Sequence, residues 1–192
     1  MTKAELRWWA REQQKQTNHT VRETLWQCLR ELSEWKTATH VLLYLAMPHE
    51  ISVEAVMGEE DEKQWYVPRC APDRRLAVHP YVPGETPLRR GPFGIREPDP
   101  EQTPEADPTV LDLVIVPALL YAPDGSRLGY GGGYYDRFLL RLRPDCVCVG
   151  LLPDEQIVPA LPLDPWDKPV DIIVTPTQVI RSECSRYCTR IT

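Results

Sequence analysis

The order of apolar and polar positions divides this chain into a helical beginning and a sheet-forming remainder. Residues 3–16 are rich in good helix formers, among them Ala4, Leu6, Ala10 and Gln13, and predict a first helix. A break follows at 18–20. Val21, Leu25, Cys28, Leu29 and Leu32 then recur at the spacing of one helix face and predict a second helix over 21–35. At 40–46 the period changes to a short continuous apolar run, the pattern of a strand buried on both faces in a parallel sheet. Ser52 is placed to cap a short helix over 52–57, and the acidic stretch 58–63 reads as a solvated turn. Residues 65–67 predict a strand stopped by Pro68, and 76–81 another.

The second half repeats the alternation more clearly. Strands are predicted at 111–117, 146–152 and 169–174, the last of them. Asp124 and Gly125 mark a turn in the loop 122–127. A glycine cluster over 129–133 leads into a helix at 137–142. Strands alternating with helices predict an α/β fold of three layers, a mostly parallel sheet with helices on both faces. The length suits a single domain over residues 1–192. One segment breaks the pattern. Residues 80–108 hold eight prolines, which removes helix and central strand alike and predicts a long stiffened loop at about 80–110.

Composition adds limits. Apolar content of 42% and charged content of 26% are those of a folded protein. The net charge of −6 argues against a nucleic-acid binder, so any phosphate must be held by a few local cations and backbone N–H groups. The beginning is charged throughout and no run of about 18 apolar residues occurs, so neither a leader nor a membrane span is expected, and the protein is expected to be cytoplasmic. Six irregularly spaced cysteines read as reduced thiols. Cys184 and Cys188 lack the neighbouring ligands a metal site would need.

Candidate chemistry concentrates where strand, glycine cluster and helix follow one another over 111–142. Gly129, Gly131, Gly132 and Gly133 let backbone N–H groups approach a phosphate, and the following helix points its positive end there. Asp136, in the first helical turn, offers a carboxylate for Mg²⁺ bridging phosphate oxygens. The cluster is neither a P-loop nor a dinucleotide fingerprint. Alone it also fits a flexible turn capped by an acidic residue. Lys3 and Arg7, four apart, put two cations on one helix face; alone they fit a solvated surface. Glu50 follows the strand 40–46 and could bind the N–H groups of a heterocycle, or simply favour a helix start. Asp164 and Asp167 precede the last strand, where either could complete a metal site with Asp136 or belong to an Asp-Pro turn.

Together these pieces resemble the 5-formyltetrahydrofolate cyclo-ligase family, also called methenyltetrahydrofolate synthetases. The most specific part is the run of Gly125, Arg127, Leu128, Gly129, Gly131, Gly133, Tyr134, Tyr135 and Asp136, where every fixed position of the family pattern is matched. The Lys3/Arg7 pair, the run over 44–51, residues 93–98 and residues 163–167 support it in the same order along the chain.

The resemblance implies a ligase of one-carbon metabolism that uses ATP and Mg²⁺ to convert 5-formyltetrahydrofolate to 5,10-methenyltetrahydrofolate, releasing ADP and phosphate. The formyl oxygen would attack the γ-phosphate, and the ring-closing nitrogen would then displace the phosphate. Phosphoryl transfer needs positioning and charge neutralisation more than a covalent nucleophile. By carry-over, Lys3, Arg7, Arg127, Leu128, Gly129, Tyr130, Gly131, Gly132, Gly133, Tyr134 and Tyr135 would bind ATP. Leu45, Glu50, Tyr130 and Tyr134 would line the folate site, Arg127 and Tyr134 would be catalytic, and Asp136 and Asp167 would hold Mg²⁺. The partner would be the small-molecule folate, with no nucleic acid and no membrane, and the protein a monomer. Many relatives carry a basic residue where this chain has Tyr130 or Gly132, one cation fewer beside the phosphates. The other readings are a non-catalytic nucleotide- or folate-binding protein on this fold, and a phosphosugar enzyme with a single-phosphate glycine loop.

Overall fold

The computed structural model describes residues 1–14, 19–47, 50–52, 54–57, 60 and 62–183. In chain order the strands are β1 (His40–Leu42), β2 (Gln64–Ala71), β3 (Arg75–Pro80), β4 (Leu88–Arg90), β5 (Arg96–Pro98), β6 (Leu113–Val116), β7 (Leu120–Tyr121), β8 (Arg127–Leu128), β9 (Val147–Leu151), β10 (Ile172–Val174) and β11 (Val179–Arg181). The helices are α1 (Lys3–Gln14), α2 (His19–Glu31), α3 (Ser33–Thr37), α4 (Glu54–Met57) and α5 (Tyr134–Leu139).

Seven strands form the main sheet in the order β11-β10-β9-β6-β1-β2-β3. The five inner strands are parallel, and the edges β3 and β11 are antiparallel to their neighbours. The fold is therefore the mostly parallel α/β sheet expected. Both faces are covered because successive side chains on a strand point opposite ways. Leu113 and Ile115 join α2 residues Leu25 and Leu29 and α3 residue Trp35 in one cluster. Val114 and Val116 join α5 residues Phe138 and Leu139 in the other. Leu6 and Ala10 seat α1 on Leu119, Leu120 and Leu128 of the β7–β8 hairpin.

Several elements depart from the sequence expectations, each for a local reason. Leu32 is extended (φ −62, ψ 133), so the helix expected over 21–35 is two, α2 and α3. Pro68 does not stop β2. The Tyr81 amide donates to Trp65 O at 2.8 Å, so alternate residues, Pro68 among them, turn their nitrogens away from β3, and β1 has already ended opposite Tyr66. A missing N–H costs nothing there. The proline-rich stretch is not a bare loop: β4 and β5 pair as an antiparallel hairpin, with Pro98 at its end opposite Leu88. The strand at 169–174 is not the last, because β11 folds back on β10. α5 starts at Tyr134 and spans six residues, three earlier than predicted. His49, the acidic residues at 59 and 61, Cys184 and Cys188 lie outside the described residues, and Cys28, Cys70, Cys146 and Cys148 are free thiols.

Candidate active site

Strand order in the parallel sheet reverses between β1, which leads on to β2 on one side, and β6, which leads to β9 and β10 on the other. Sheets of this order bind ligands beyond the carboxyl ends of the strands at that reversal. A cleft of about 1340 Å³ opens there. Tyr44, Leu45, Met47 and Glu50 reach it from the end of β1, Pro117 from the end of β6, and residues 127–137 cross it. Every residue given a candidate ligand, metal or catalytic role from the sequence lines this one cleft.

Glu50 is 9% exposed and accepts a hydrogen bond from the Met47 amide at 2.8 Å. Tyr44 O–H donates to Ile51 O at 2.9 Å, bracing the same turn from below. Burial first, and the negative charge of Glu50 next, push the phenols of Tyr44 and Tyr135 well above their ordinary value, so both stay protonated. The result is an apolar pocket with the buried Glu50 carboxylate at its end.

The glycine loop forms the opposite wall. Gly131 (φ 101) and Gly133 (φ 66) occupy the left-handed region that side chains resist, which is why the loop needs glycine at these two places. Arg7 Nε donates to Gly129 O at 2.9 Å, and Arg137 Nη1 to Gly133 O at 2.9 Å, so two guanidiniums follow the loop's backbone. Six residues make a weak dipole, so the expected pull of α5 on an anion is smaller than the sequence suggested. Cationic side chains carry most of the field. The cleft is lined by Lys3, Arg7, Arg11, Arg74, Arg127, Arg137 and Lys168 against Glu50, Glu97, Asp136, Asp164 and Asp167. Seven cations against five carboxylates give a local excess of two positive charges in a chain of net charge −6.

Two of those cations are already paired with three of the carboxylates. Lys3 Nζ donates to Asp164 Oδ2 at 2.6 Å and Asp167 Oδ2 at 2.5 Å. Burial opposes its charge, but the two carboxylates outweigh it and raise its pKa. Arg127, 5% exposed at the side chain, binds Asp136 Oδ1 at 2.6 Å, and the Lys168 amide donates to the same oxygen at 3.2 Å. The Arg127 guanidinium also stands 6.0 Å from the Tyr135 ring. The two carboxylates expected to hold Mg²⁺ are thus engaged by two of the cations expected to hold phosphate. Carboxylate oxygens are the donors Mg²⁺ prefers. Among the described residues no group of three His, Cys, Asp or Glu could hold a metal ion.

Sequence reading did not find Pro68, Cys70, Arg74 and Glu97 on the β2–β5 side of the cleft, or Trp166 between the two aspartates. Arg11 was findable, because it extends the Lys3–Arg7 spacing by four more residues.

Sheet order and a cationic glycine loop at the reversal define an α/β protein with a cationic cleft wall beside an apolar pocket. The model of the 5-formyltetrahydrofolate cyclo-ligase family matches residues 2–176. The chain belongs to that family. The probable 5-formyltetrahydrofolate cyclo-ligase of Schizosaccharomyces pombe is 31% identical over 167 residues, 79% of this chain and 82% of that protein. The 5-formyltetrahydrofolate cyclo-ligase of Haemophilus influenzae is 32% identical over 162 residues, 81% of this chain and 86% of that protein. The NMR structure of Aquifex aeolicus 5,10-methenyltetrahydrofolate synthetase superposes with a TM-score of 0.82 at 30% identity, covering 98% of this chain and 96% of that one. No helix among the described residues is long and apolar enough to cross a membrane.

Proposed function

We propose that this protein converts 5-formyltetrahydrofolate to 5,10-methenyltetrahydrofolate as an ATP-dependent ligase. The observation that carries the reading is one cleft holding both halves of such a reaction: a cationic glycine loop on one wall and, beside it, an apolar pocket ended by buried Glu50. Lys3, Arg7 and the 127–135 loop bind the ATP phosphates. Leu45 and Glu50 bind the pterin, Glu50 by accepting its N–H groups, and Tyr130 and Tyr134 flank the rings. Arg127 and Tyr134 act at the reacting centre. The formyl oxygen attacks the γ-phosphate and ADP leaves; the ring-closing nitrogen then displaces phosphate. Arg127 balances charge on the transferring group, the main demand of this chemistry. Asp136 and Asp167 would hold Mg²⁺, and the ion would neutralise the polyphosphate. Lys3 and Arg127 then exchange their aspartates for phosphate. The protein acts as a monomer.

The test is absorbance on mixing protein, 5-formyltetrahydrofolate, ATP and Mg²⁺, since the methenyl product is a conjugated chromophore and the substrate is not. A rise that needs all components is expected. No rise, with ATP binding confirmed separately, would overturn the folate reading.

A further inference from the structure

The tip of the β2–β3 hairpin is built against its own backbone preference. Asp73 (φ 58) and Arg74 (φ 56) are the two non-glycine residues with positive φ among those described, and they are consecutive. The Arg75 amide closes the turn on Pro72 O. Hairpin turns with two left-handed central residues ordinarily use Asn-Gly or Asp-Gly, because a Cβ is disfavoured at both places. Glycine at position 74 would relieve the turn; arginine stands there instead.

Arg74 lines the cleft. Among the described residues it makes no hydrogen bond and no ion pair. Of the other cleft cations, Lys3 is committed to two aspartates, Arg7 and Arg137 to loop carbonyls and Arg127 to Asp136; among the described residues the Arg11 and Lys168 side chains are also uncommitted, but Arg11 stands on α1 beside Arg7, and Lys168 follows Asp167. Arg74 stands on the β2–β3 turn, near enough for its charge to act on the Tyr134 phenol, which shares a hydrogen bond with Cys70. The carboxylate at that end, Glu97, is 1% exposed, accepts from the Cys70 amide at 3.1 Å and lies 4.0 Å from Arg89, so it does not call for Arg74.

We infer that Arg74 is a specificity residue for the folate, binding a carboxylate of its glutamate end while the pterin occupies the Glu50 pocket. The inference rests on the folate reading above. Its chemical basis is that a folate carries anionic carboxylates at the end remote from the pterin, and a guanidinium forks onto a carboxylate. A strained residue kept at a cleft mouth for its side chain fits that use.

Arg74→Gly separates a binding role from a structural one, since it removes the guanidinium and relaxes the turn. It should raise the melting temperature while raising KM for 5-formyltetrahydrofolate about tenfold, with KM for ATP unchanged. Arg74→Lys should recover part of the loss. With a 5-formyltetrahydropterin that lacks the aminobenzoyl-glutamate, wild type and variant should differ by less than about twofold. An unchanged KM for the folate, a rise in KM for ATP instead, or an equal loss with the truncated pterin would each overturn the inference. Failure of the wild-type protein to turn over 5-formyltetrahydrofolate would instead remove the reading beneath it.

Discussion

Breaking the Arg127–Asp136 pair from one side should cost nearly as much as removing it whole. The pair is short at 2.6 Å, and its side chains are 5% and 19% exposed. Arg127 Nε is buried without a hydrogen-bond partner among the described residues, so the guanidinium relies on Asp136 to balance its charge. Asp136→Asn keeps the shape and strands that cation. Loss of one partner from a buried pair costs about 3–5 kcal/mol, and the partial exposure of Asp136 points to the lower end, about 3 kcal/mol. Arg127→Met leaves an aspartate nearer water that still accepts from the Lys168 amide, so about 2 kcal/mol is expected. The double variant has no stranded charge and should cost no more than about 3 kcal/mol, which leaves a coupling of at least about 2 kcal/mol. For a chain of this size each kcal/mol moves the melting temperature by about 2–4 °C, so Asp136→Asn should melt roughly 6–12 °C low. Thermal or urea unfolding of the four proteins measures the cycle. Costs that add within about 0.5 kcal/mol would refute the coupling and with it the idea that Asp136 supports Arg127 in the unliganded cleft.

Three further outcomes are expected. His79, 1% exposed, accepts from Arg69 Nε at 3.1 Å; burial, then the Arg69 charge, hold its imidazole below the ordinary value of 6.5. The folded state then binds fewer protons than the unfolded one, so this contribution is full above 6.5 and is lost as pH falls through the folded value. His79→Gln should flatten the fall of the urea midpoint between about pH 7 and about pH 5, and an unchanged slope would sink the assignment. Asp112 ties β1 to β9: burial opposes its charge, but the His40 and Thr39 amides at 2.7 and 2.9 Å and the Arg143 guanidinium outweigh that and hold its pKa at about 2. Its contribution, about 1 kcal/mol after solvent screening, is full above the ordinary 3.8 and is lost as pH falls through about 2, so Asp112→Asn should destabilise at neutral pH and converge with wild type in acid. Gly131→Ala meets only ordinary contact with Arg7, at 3.5 Å, so its cost is conformational, about 1–3 kcal/mol, read as a lower melting temperature with weakened ATP binding; retention of both would show that the loop does not need its left-handed residue.

What the sequence made legible depended on how local the cause was. The run at 113–116 announces a buried strand because its period is its own, and the glycines at 131 and 133 announce a tight loop because their φ values admit little else. Pro68 misled because whether a missing N–H matters depends on where the neighbouring strand ends, and β1 ends at Leu42. The break at Leu32 carries no glycine or proline to mark it. The β4–β5 hairpin stayed hidden because proline density forbids central strands but not a three-residue pair with Pro98 at its end. At the cleft, Lys3, Arg7, Glu50, Arg127, Asp136, Asp164 and Asp167 could be named one at a time, though Arg137 and Lys168 were not. Cys70 and Arg74 could not, since nothing in their surroundings says that β2 runs past a proline and delivers a turn to the same cleft.

Pairing was the other hidden fact, and it changes how the site is understood. Lys3 and Asp167 are 164 residues apart, and a sequence gives each a separate role, one for phosphate and one for metal. In the folded chain each is the other's counterion, as Arg127 and Asp136 are. An acidic protein with seven cations lining one cleft would otherwise hold a strong field open to any passing anion. Internal pairing lowers that field and fixes the side chains near where they are needed, which reduces the ordering cost when a ligand arrives. It also raises the selectivity of the site. A simple anion must break an ion pair and leave an aspartate uncompensated, whereas a polyphosphate arriving with a divalent cation satisfies both members at once. The same two pairs therefore stabilise the unliganded cleft and bias it toward a ligand that carries both charges.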